Sequence, residues 1–570
     1  MIILKGIPAS GGIASGPAYI FRHAEVGVRR ENISNPAAEL ARLESARDAA
    51  RQQLQSLKEK TEQEASAEEA AIFDAHAMFL DDPSLIELVA DLVNNEKLNV
   101  EAAWSDGIEN FARQMEMMGD EYLSARAADI RDVGKRVLRI LSGQNEADLS
   151  GLSVPSVILA QDLTPSDTAR LDKQYVLGFA TAEGGPTSHT AILAKALGLP
   201  AVVGCGPLLL NIAGGTDMLI HGGQGELIAS PDDATKKRYQ MLTGQASHLA
   251  EMELKSAGEP AVTRDGRKLE IVANVGSPSD AVSALKYGAE GIGLLRTEFL
   301  YLERTTAPTE EEQFTAYKTI LDVMGKRPVV VRTLDVGGDK QLDYLDLGKE
   351  ANPFLGWRAI RMCLDRPDFF KIQLRALLRA SPGHDLRIMF PMIATMEEVR
   401  RAKDLLAEAR LEVLAAGHQV AENIQVGIMV EIPAAAQMAD LFAKNVDFFS
   451  IGTNDLTQYT MAAERTSEKM AYLSDPCHPA VLRQIKHVIE EGHKVGIWVG
   501  VCGEMAGDPV AAPVLLGLGL DEFSMAAPSI PHLKAILRDW SYQNTQKLAR
   551  TVINLENGRE VREYVRHFTH

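Results

Sequence analysis

Cysteine is scarce. The chain has 4, Cys205, Cys363, Cys477 and Cys502, and none stands in a CxxC pair. A disulfide scaffold and a zinc ribbon are disfavoured, and a reducing, cytoplasmic setting is the expectation. Long apolar runs are missing too. No stretch approaches the roughly 18 uninterrupted apolar residues of a membrane-spanning helix. The start, MIILKGIPASGGIASG, has no basic segment leading into an apolar one, so no secretory signal is expected. Positive charge is in deficit: 59 Lys and Arg against 78 Asp and Glu, a net charge of −19. Such a chain disfavours nucleic acid and anionic membranes as partners. A basic protein, or a substrate bearing Mg²⁺, suits it better. What remains is ordinary globular composition, 46% hydrophobic and 24% charged, so extensive disorder is not expected. At about 150 residues per domain, 570 residues imply three or four domains.

The texture changes along the chain. Residues 1–20 read as short strands with Gly turns. Ser34-Asn35-Pro36 reads as a helix start, a capping residue followed by Pro in the first turn. Apolar residues at helical spacing follow (Leu40, Leu43, Leu54, Leu57), then AEEAAIFDAHAMFL, SLIELVADLVNN and AADIRDVGKRVLRIL. Residues 21–145 are expected to form an all-helical insert. From Val154 strand-like runs return: SVILAQDL, YVLGFATAEGG and a hairpin over DMLIHGGQGELIASP. Residues 1–20 and 146–230 are read together as one small α/β domain interrupted by the helices, and 231–260 as a helical linker. Over 261–570 a strand-like run appears eight times: LEIVANVG, AEGIGLLRTEF, RPVVVRTLDVGG, LRIMFPMI, QVGIMVEIP, VDFFSIGTNDL, IWVGVCGEM and LDEFSMA, most separated by amphipathic helical stretches. Eight β–α units in about 300 residues predict a closed (β/α)₈ barrel; an open doubly wound sheet is the alternative.

Barrel chemistry sits at the C-terminal ends of the strands, and the polar residues cluster there. Arg296, Thr297 and Glu298 end the second strand; Arg332, Asp335 and Lys340 follow the third. Glu431 ends the fifth, Asn454 and Asp455 the sixth, Cys502 and Glu504 the seventh, and Ser524 lies on the eighth. Arg358 and Arg465 lie beyond strands. A lone Arg is usually a surface ion pair. Several converging with a Lys and two carboxylates point to an anionic substrate bridged by a metal, because the guanidinium fork matches carboxylate and phosphate. Glu431 and Asp455 suit Mg²⁺, a hard cation that takes a few carboxylates plus substrate oxygens; no His accompanies them, which disfavours zinc. A second constellation is Gly184-Gly185-Pro186-Thr187-Ser188-His189-Thr190. It puts an imidazole beside three hydroxyls at a helix start, where free N–H groups favour an anion. His189 is read either as a nucleophile whose phosphoryl adduct is cradled there, or as an exposed loop residue beside a capping hydroxyl.

GGPTSHTAILAKALGLPAVVG closely resembles the phosphohistidine signature of phosphoenolpyruvate-utilising enzymes, and DFFSIGTNDLTQYTMAAER their barrel signature. DEYLSARAADIRDVGKRVLR, RTEFLYLERTTAPTEEEQFTAYK and NPFLGWRAIR are similar to enzyme I of the bacterial phosphotransferase system. The resemblance runs over essentially the whole chain. It implies that His189 accepts the phosphoryl group and that Arg296, Arg332, Lys340, Arg358, Asn454, Asp455 and Arg465 hold phosphoenolpyruvate. It implies further that Glu431 and Asp455 bind Mg²⁺ and that Cys502 protonates C3 of the departing enolate. On the same ground the helical insert docks the small carrier protein HPr, the α/β domain swivels between HPr and the barrel, and the barrel forms a homodimer. Glu68, Glu69, Asp74, Asp81 and Asp82 suit a basic face on the carrier, though each alone reads equally as a solvated helix face. His76 among them is taken as an interface or packing residue. Arg126 and Arg131 either contact the carrier or brace the helices. Pro186 departs from the Arg, Ala or Met expected there; it stiffens the loop and removes an N–H. The alternatives are another phosphoenolpyruvate-utilising phosphohistidine enzyme, disfavoured because the chain has no room for an ATP-grasp domain and no GxxxxGK[ST] loop, or a catalytically silent phospho-relay regulator.

Overall fold

The computed structural model describes the chain apart from residues 23–26, 65–71, 118–120, 144–151, 165–166, 168–172, 186–189, 192–193, 195–197, 303, 338–341, 343, 346–349, 351, 465–467 and 569–570. The chain forms two units, Met1–Gln245 and Ala246–His570.

In the first unit one sheet draws strands from both sides of the helical stretch. Its strands are β1 (Ile2–Lys5), β2 (Ile7–Ser10), β3 (Ile13–Ile20), β4 (Ser156–Ala160), β5 (Val176–Thr181), β6 (Ala201–Val203), β7 (Asp217–His221) and β8 (Glu226–Ala229). They lie in the order β1-β8-β7-β3-β4-β5-β6-β2. β3 to β6 run parallel, while β7 and β8 form the antiparallel hairpin that the paired glycines predict. Every residue of β4, SVILA, is buried, as a parallel strand covered on both faces requires. The helices are α1 (Pro36–Glu64), α2 (Ile72–Leu80), α3 (Pro83–Asn95), α4 (Val100–Met117) and α5 (Glu121–Leu141). α1 begins where the sequence places it: the Asn35 side-chain oxygen accepts from the Ala38 N–H. Its buried face, Leu43, Ala46, Ala50, Leu54 and Leu57, recurs every three or four residues and packs with the other helices into one core. Trp104 anchors that core, its indole N–H donating to the Gly134 carbonyl at 3.1 Å. The stretch after β8 is one helix, α6 (Asp233–Ser256).

The second unit contains the barrel. Each of the eight predicted runs carries a strand: β10 (Lys268–Val275), β11 (Ile292–Leu295), β12 (Pro328–Arg332), β13 (Asp385–Phe390), β14 (Gln425–Val430), β15 (Phe448–Ile451), β16 (Trp498–Val501) and β17 (Glu522–Ala526), with the two-residue β9 (Ala261–Val262) antiparallel to β10. The eight pair in parallel, and β10 bonds both β17 and β11, which closes the cylinder and removes the open-sheet alternative. Alternate residues point inward. Leu294, Val330, Met389, Met429, Phe448 and Cys502 fill the lumen with Trp498, while the other face of each strand joins the large core under the helices. The lumen is therefore packed, and the loops at the strands' C-terminal ends carry the polar groups.

Candidate active site

Two buried arginines are held by shared counter-charges. Arg332, the last residue of β12, pairs with Glu298 at 2.7 Å and with Asp335 at 3.0 Å. Arg358 reaches the other oxygen of Asp335 through Nη2 at 2.9 Å and Nε at 3.3 Å. All four side chains are less than a tenth exposed. Burial alone draws a guanidinium pKa down; at Arg332 the charges of Glu298, Asp335 and Glu431 outweigh it and drive it up, and Asp335 and Asp455 do the same at Arg358. Both forks are thus locked as cations. Thr297 donates to the Arg332 carbonyl, and Gln373 donates to Thr297 and accepts from the Leu334 N–H, so the backbone behind the pair is also fixed. Gly337 is required beside them: its φ is +113°, and a Cβ there would lie 2.5 Å from the Cβ of Arg358.

Glu431 follows β14 and is buried. One of its oxygens accepts the Met392 N–H at 2.6 Å, Met392 holding the uncommon φ of +56° to present it. The other oxygen, and Oδ1 of Asp455 in the first turn of the helix Thr453–Met461 after β15, are buried without a hydrogen-bond partner among the described residues. Burial first, then the charges of Asp455 and Asp335, push the Glu431 carboxyl up. Two mutually repelling carboxylates with an unsatisfied oxygen each are the donor set that a hard divalent cation relieves.

Cys502, after β16, is buried with its thiol toward the Ile451 carbonyl at 3.7 Å. Burial pushes that thiol up to about 11, so it stays protonated at neutral pH. Its carbonyl accepts from Asn274, which in turn accepts from Ser524 at 2.6 Å. Asn454 accepts from the Glu504 N–H at 3.2 Å, joining the sixth and seventh loops.

The structure therefore brings Arg332, Arg358, Glu431, Asn454, Asp455 and Cys502 to one end of the barrel, with Arg296 exposed at its mouth after β11. Lys340, Arg465, His189, Pro186, Glu68 and Glu69 lie outside the described residues, and Arg126 falls on α5 with its side chain undescribed. Beside His189, Gly184 has φ +95°, and Thr190 is buried and helical, its hydroxyl toward Asp162 at 3.4 Å. On the helices, Asp74 pairs with Lys58, Asp81 with Arg47 and Arg51, and Asp82 caps α3 by accepting from the Ser84 N–H. Arg131 braces α4 against α5 through a bidentate pair with Glu109. His76 is fully buried, edge-on to Phe73 and 3.6 Å from Asp129; it is a packing residue with no surface to offer a partner. Nothing in the sequence gives Glu298 or Asp335 a role, and nothing singles out Asn274 or Met392. Only their position at strand ends marks the first two.

Three family models match the chain: phosphoenolpyruvate-utilising enzyme, N-terminal, over residues 5–126; mobile domain, over 152–225; and phosphoenolpyruvate-binding domain, over 251–542. A phosphoenolpyruvate-protein phosphotransferase of Geobacillus stearothermophilus is 49% identical over 99% of this chain and 97% of its own length. That of Priestia megaterium is 48% identical over 100% and 99%, and that of Bacillus subtilis 47% over 99% and 99%. A solution structure of an Enzyme I protein aligns with 43% of this chain and 99% of its own at 40% identity, with a TM-score of 0.39. With full-length likeness of this order, and Arg332, Arg358, Glu431, Asp455 and Cys502 gathered at one barrel end, the chain belongs to the phosphoenolpyruvate–protein phosphotransferase family and is an enzyme of phosphoenolpyruvate-dependent phosphotransfer.

Proposed function

We propose that the protein moves the phosphoryl group of phosphoenolpyruvate onto His189 and then onto a histidine of the carrier HPr, the first step of sugar uptake by the phosphotransferase system. The observation that carries this reading is the convergence of two locked guanidinium forks, two unsatisfied carboxylate oxygens and a protonated thiol at one end of the closed barrel.

In this reading Arg296, Arg332, Lys340, Arg358, Asn454 and Arg465 bind the carboxylate and phosphate of the substrate. The forks are set before substrate arrives, which spares reorganisation during transfer. Glu431 and Asp455 hold Mg²⁺, which supplies neutralisation of the phosphoryl oxygens. The His189 imidazole attacks phosphorus; the P–O bond to the enol oxygen breaks and leaves the enolate of pyruvate. The Cys502 thiol gives its proton to C3, and pyruvate departs. A thiol held protonated by burial is fit to act as that acid.

Transfer to HPr requires His189 to visit two places, so residues 1–20 and 146–230 act as the mobile phosphohistidine domain and 21–145 as the carrier-binding one. Asp74, Met78 and Asp81 stand on one face of the α2 region, exposed, with Met78 three-quarters accessible. An apolar knob between two acids suits a basic carrier surface, with Glu68, Glu69 and Asp82 near it in sequence and Arg126 on α5 as a further candidate. Among the described residues no helix is long and apolar enough to cross a membrane. A cytoplasmic protein that dimerises through its barrel is the accompanying proposal.

The test is intact mass of the protein after incubation with phosphoenolpyruvate and Mg²⁺, alongside His189→Ala, with purified HPr in a second tube. An acid-labile phosphoryl adduct that needs His189 and passes to HPr is expected. An adduct that never moves removes HPr as acceptor. No adduct and no pyruvate removes the reading in favour of a silent regulator.

A further inference from the structure

We propose that Arg562, on the helix Gly558–His567 near the end of the chain, is a positioning residue that clasps the two loops bearing Asn454–Asp455 and Cys502–Glu504; the inference rests on the roles given to those residues above. Arg562 sits far in sequence from every candidate catalytic group, yet its guanidinium uses three nitrogens on two carboxylates. Nε and Nη2 take both oxygens of Asp475 at 2.9 Å each, and Nη1 takes Asp508 at 2.6 Å. All three side chains are about three-quarters buried. This is the bidentate fork geometry that gives direction as well as attraction.

Each carboxylate is the hinge post of its loop. Asp475 also accepts the Cys477 N–H at 3.0 Å, in the turn where His478 caps the helix Pro479–Val495 that leads out of the sixth loop. Asp508 accepts the N–H groups of Val510 and Ala511 and so starts the helix Ala511–Leu518 that leads out of the seventh. The inner ends of the two loops are already joined, Asn454 to the Glu504 N–H. Arg562 joins their outer ends. Val561 and Val565, on either side of it along the helix, are buried in the large core and hold that helix in place. Gly558 sits so close to Asp475 that a Cβ there would lie 2.5 Å from its carboxylate. Without the cation, two like charges face each other within reach of one vanished guanidinium, and both loops are pushed apart.

The consequence is selective. Arg332 and Arg358 belong to the third unit of the barrel and are locked by Glu298 and Asp335, so their share of substrate binding survives, while Asn454, beside Asp455, loses part of its own. Asp455 and Cys502 sit on the two clasped loops, so the chemical step suffers. In full-length Arg562→Gln, kcat for the phosphoenolpyruvate-dependent adduct and pyruvate is expected to fall about 10- to 100-fold, the scale of a reacting group displaced by an ångström. KM rises by about threefold, less than kcat falls, because Asn454 stands on a clasped loop while Arg332 and Arg358 do not. Arg562→Lys keeps the charge and recovers part of kcat. Arg562→Gln/Asp508→Asn removes the repulsion and also recovers part. Arg559→Gln, exposed on the same helix, changes nothing. Amide exchange is the readout that does not depend on activity: in Arg562→Gln it quickens over 453–464 and 502–510 and not over 328–337. Should that variant fail to fold, Asp475→Asn and Asp508→Asn are read one at a time, exchange quickening in the loop that lost its post. Unchanged exchange in both loops with kcat within about twofold of the parent overturns the proposal. The exchange pattern without any adduct in the parent protein keeps the clasp and sinks the functional reading instead.

Discussion

Asp335 is the shared counter-ion of the site, and Asp335→Asn tests whether the arginines are held by it. The substitution preserves shape and one acceptor oxygen but removes the charge and turns an N–H₂ toward a guanidinium. Arg332 keeps Glu298 at 2.7 Å. Arg358, whose contacts at 2.9 and 3.3 Å are to Asp335 alone of the carboxylates it bonds, is left with at most a neutral acceptor there. Removing one partner of a buried pair costs about 3–5 kcal/mol, because the remaining charge stays desolvated. Most of that cost falls on Arg358. In a unit the size of Ala246–His570 it lowers the midpoint of the barrel transition by about 5–10 °C. The assay is calorimetry of the full chain without substrate, where the two units can melt separately, compared with phosphoenolpyruvate titration by the same method. The variant is expected to lose both the stability and the stabilisation by phosphoenolpyruvate. A barrel transition within about 1 °C of the parent, or one that rises, refutes the claim that Asp335 neutralises both forks.

Three further outcomes follow from the same geometry. Cys502→Ala removes the buried acid, and pyruvate release is expected to slow by about 10²- to 10⁴-fold, measured by coupled pyruvate assay; unchanged turnover shows that another group protonates C3. Glu431→Gln, or chelation of divalent cations, abolishes the His189 adduct in the mass assay, while Glu431→Gln raises the thermal midpoint of metal-free protein because it removes a buried carboxylate that Asp455 repels; a lowered midpoint contradicts that repulsion. Glu522, on β17 beneath the site, is buried with both oxygens unpartnered among the described residues, and burial and the Glu270 charge push its carboxyl up to about 8. Its folded-state pKa exceeds the unfolded one, so the stability it contributes is full below about pH 4.5 and is lost as pH rises through about 8, with a slope of at most about 1.4 kcal/mol per pH unit. Glu522→Gln removes that slope. Its midpoint relative to the parent climbs from pH 5.5 to pH 8.5, and a constant difference rejects the assignment.

The sequence by itself determined the elements. The eight barrel strands are apolar runs of four to eight residues stopped by polar groups, and each is where its run predicts. Asn35-Pro36 starts α1, and the glycines of DMLIHGGQGELIASP turn a hairpin, because capping and turn chemistry act over a few bonds. Arg332, Arg358, Glu431, Asp455 and Cys502 were legible as a group from their place after strands. What required the tertiary structure is every contact between residues far apart in the chain. It closed β10 on β11 and β17, set β2 beside β6, and buried His76 on a helix whose neighbours Asp74 and Met78 face out. It made Asp335 the common partner of two arginines, ran Ser524 through Asn274 to Cys502, and brought Arg562 to Asp475 and Asp508. Local pattern encodes which face of an element is apolar. Which charge meets which is decided only when closure of the barrel carries loops from distant parts of the chain to one rim, where burial makes an unpaired charge too costly to keep.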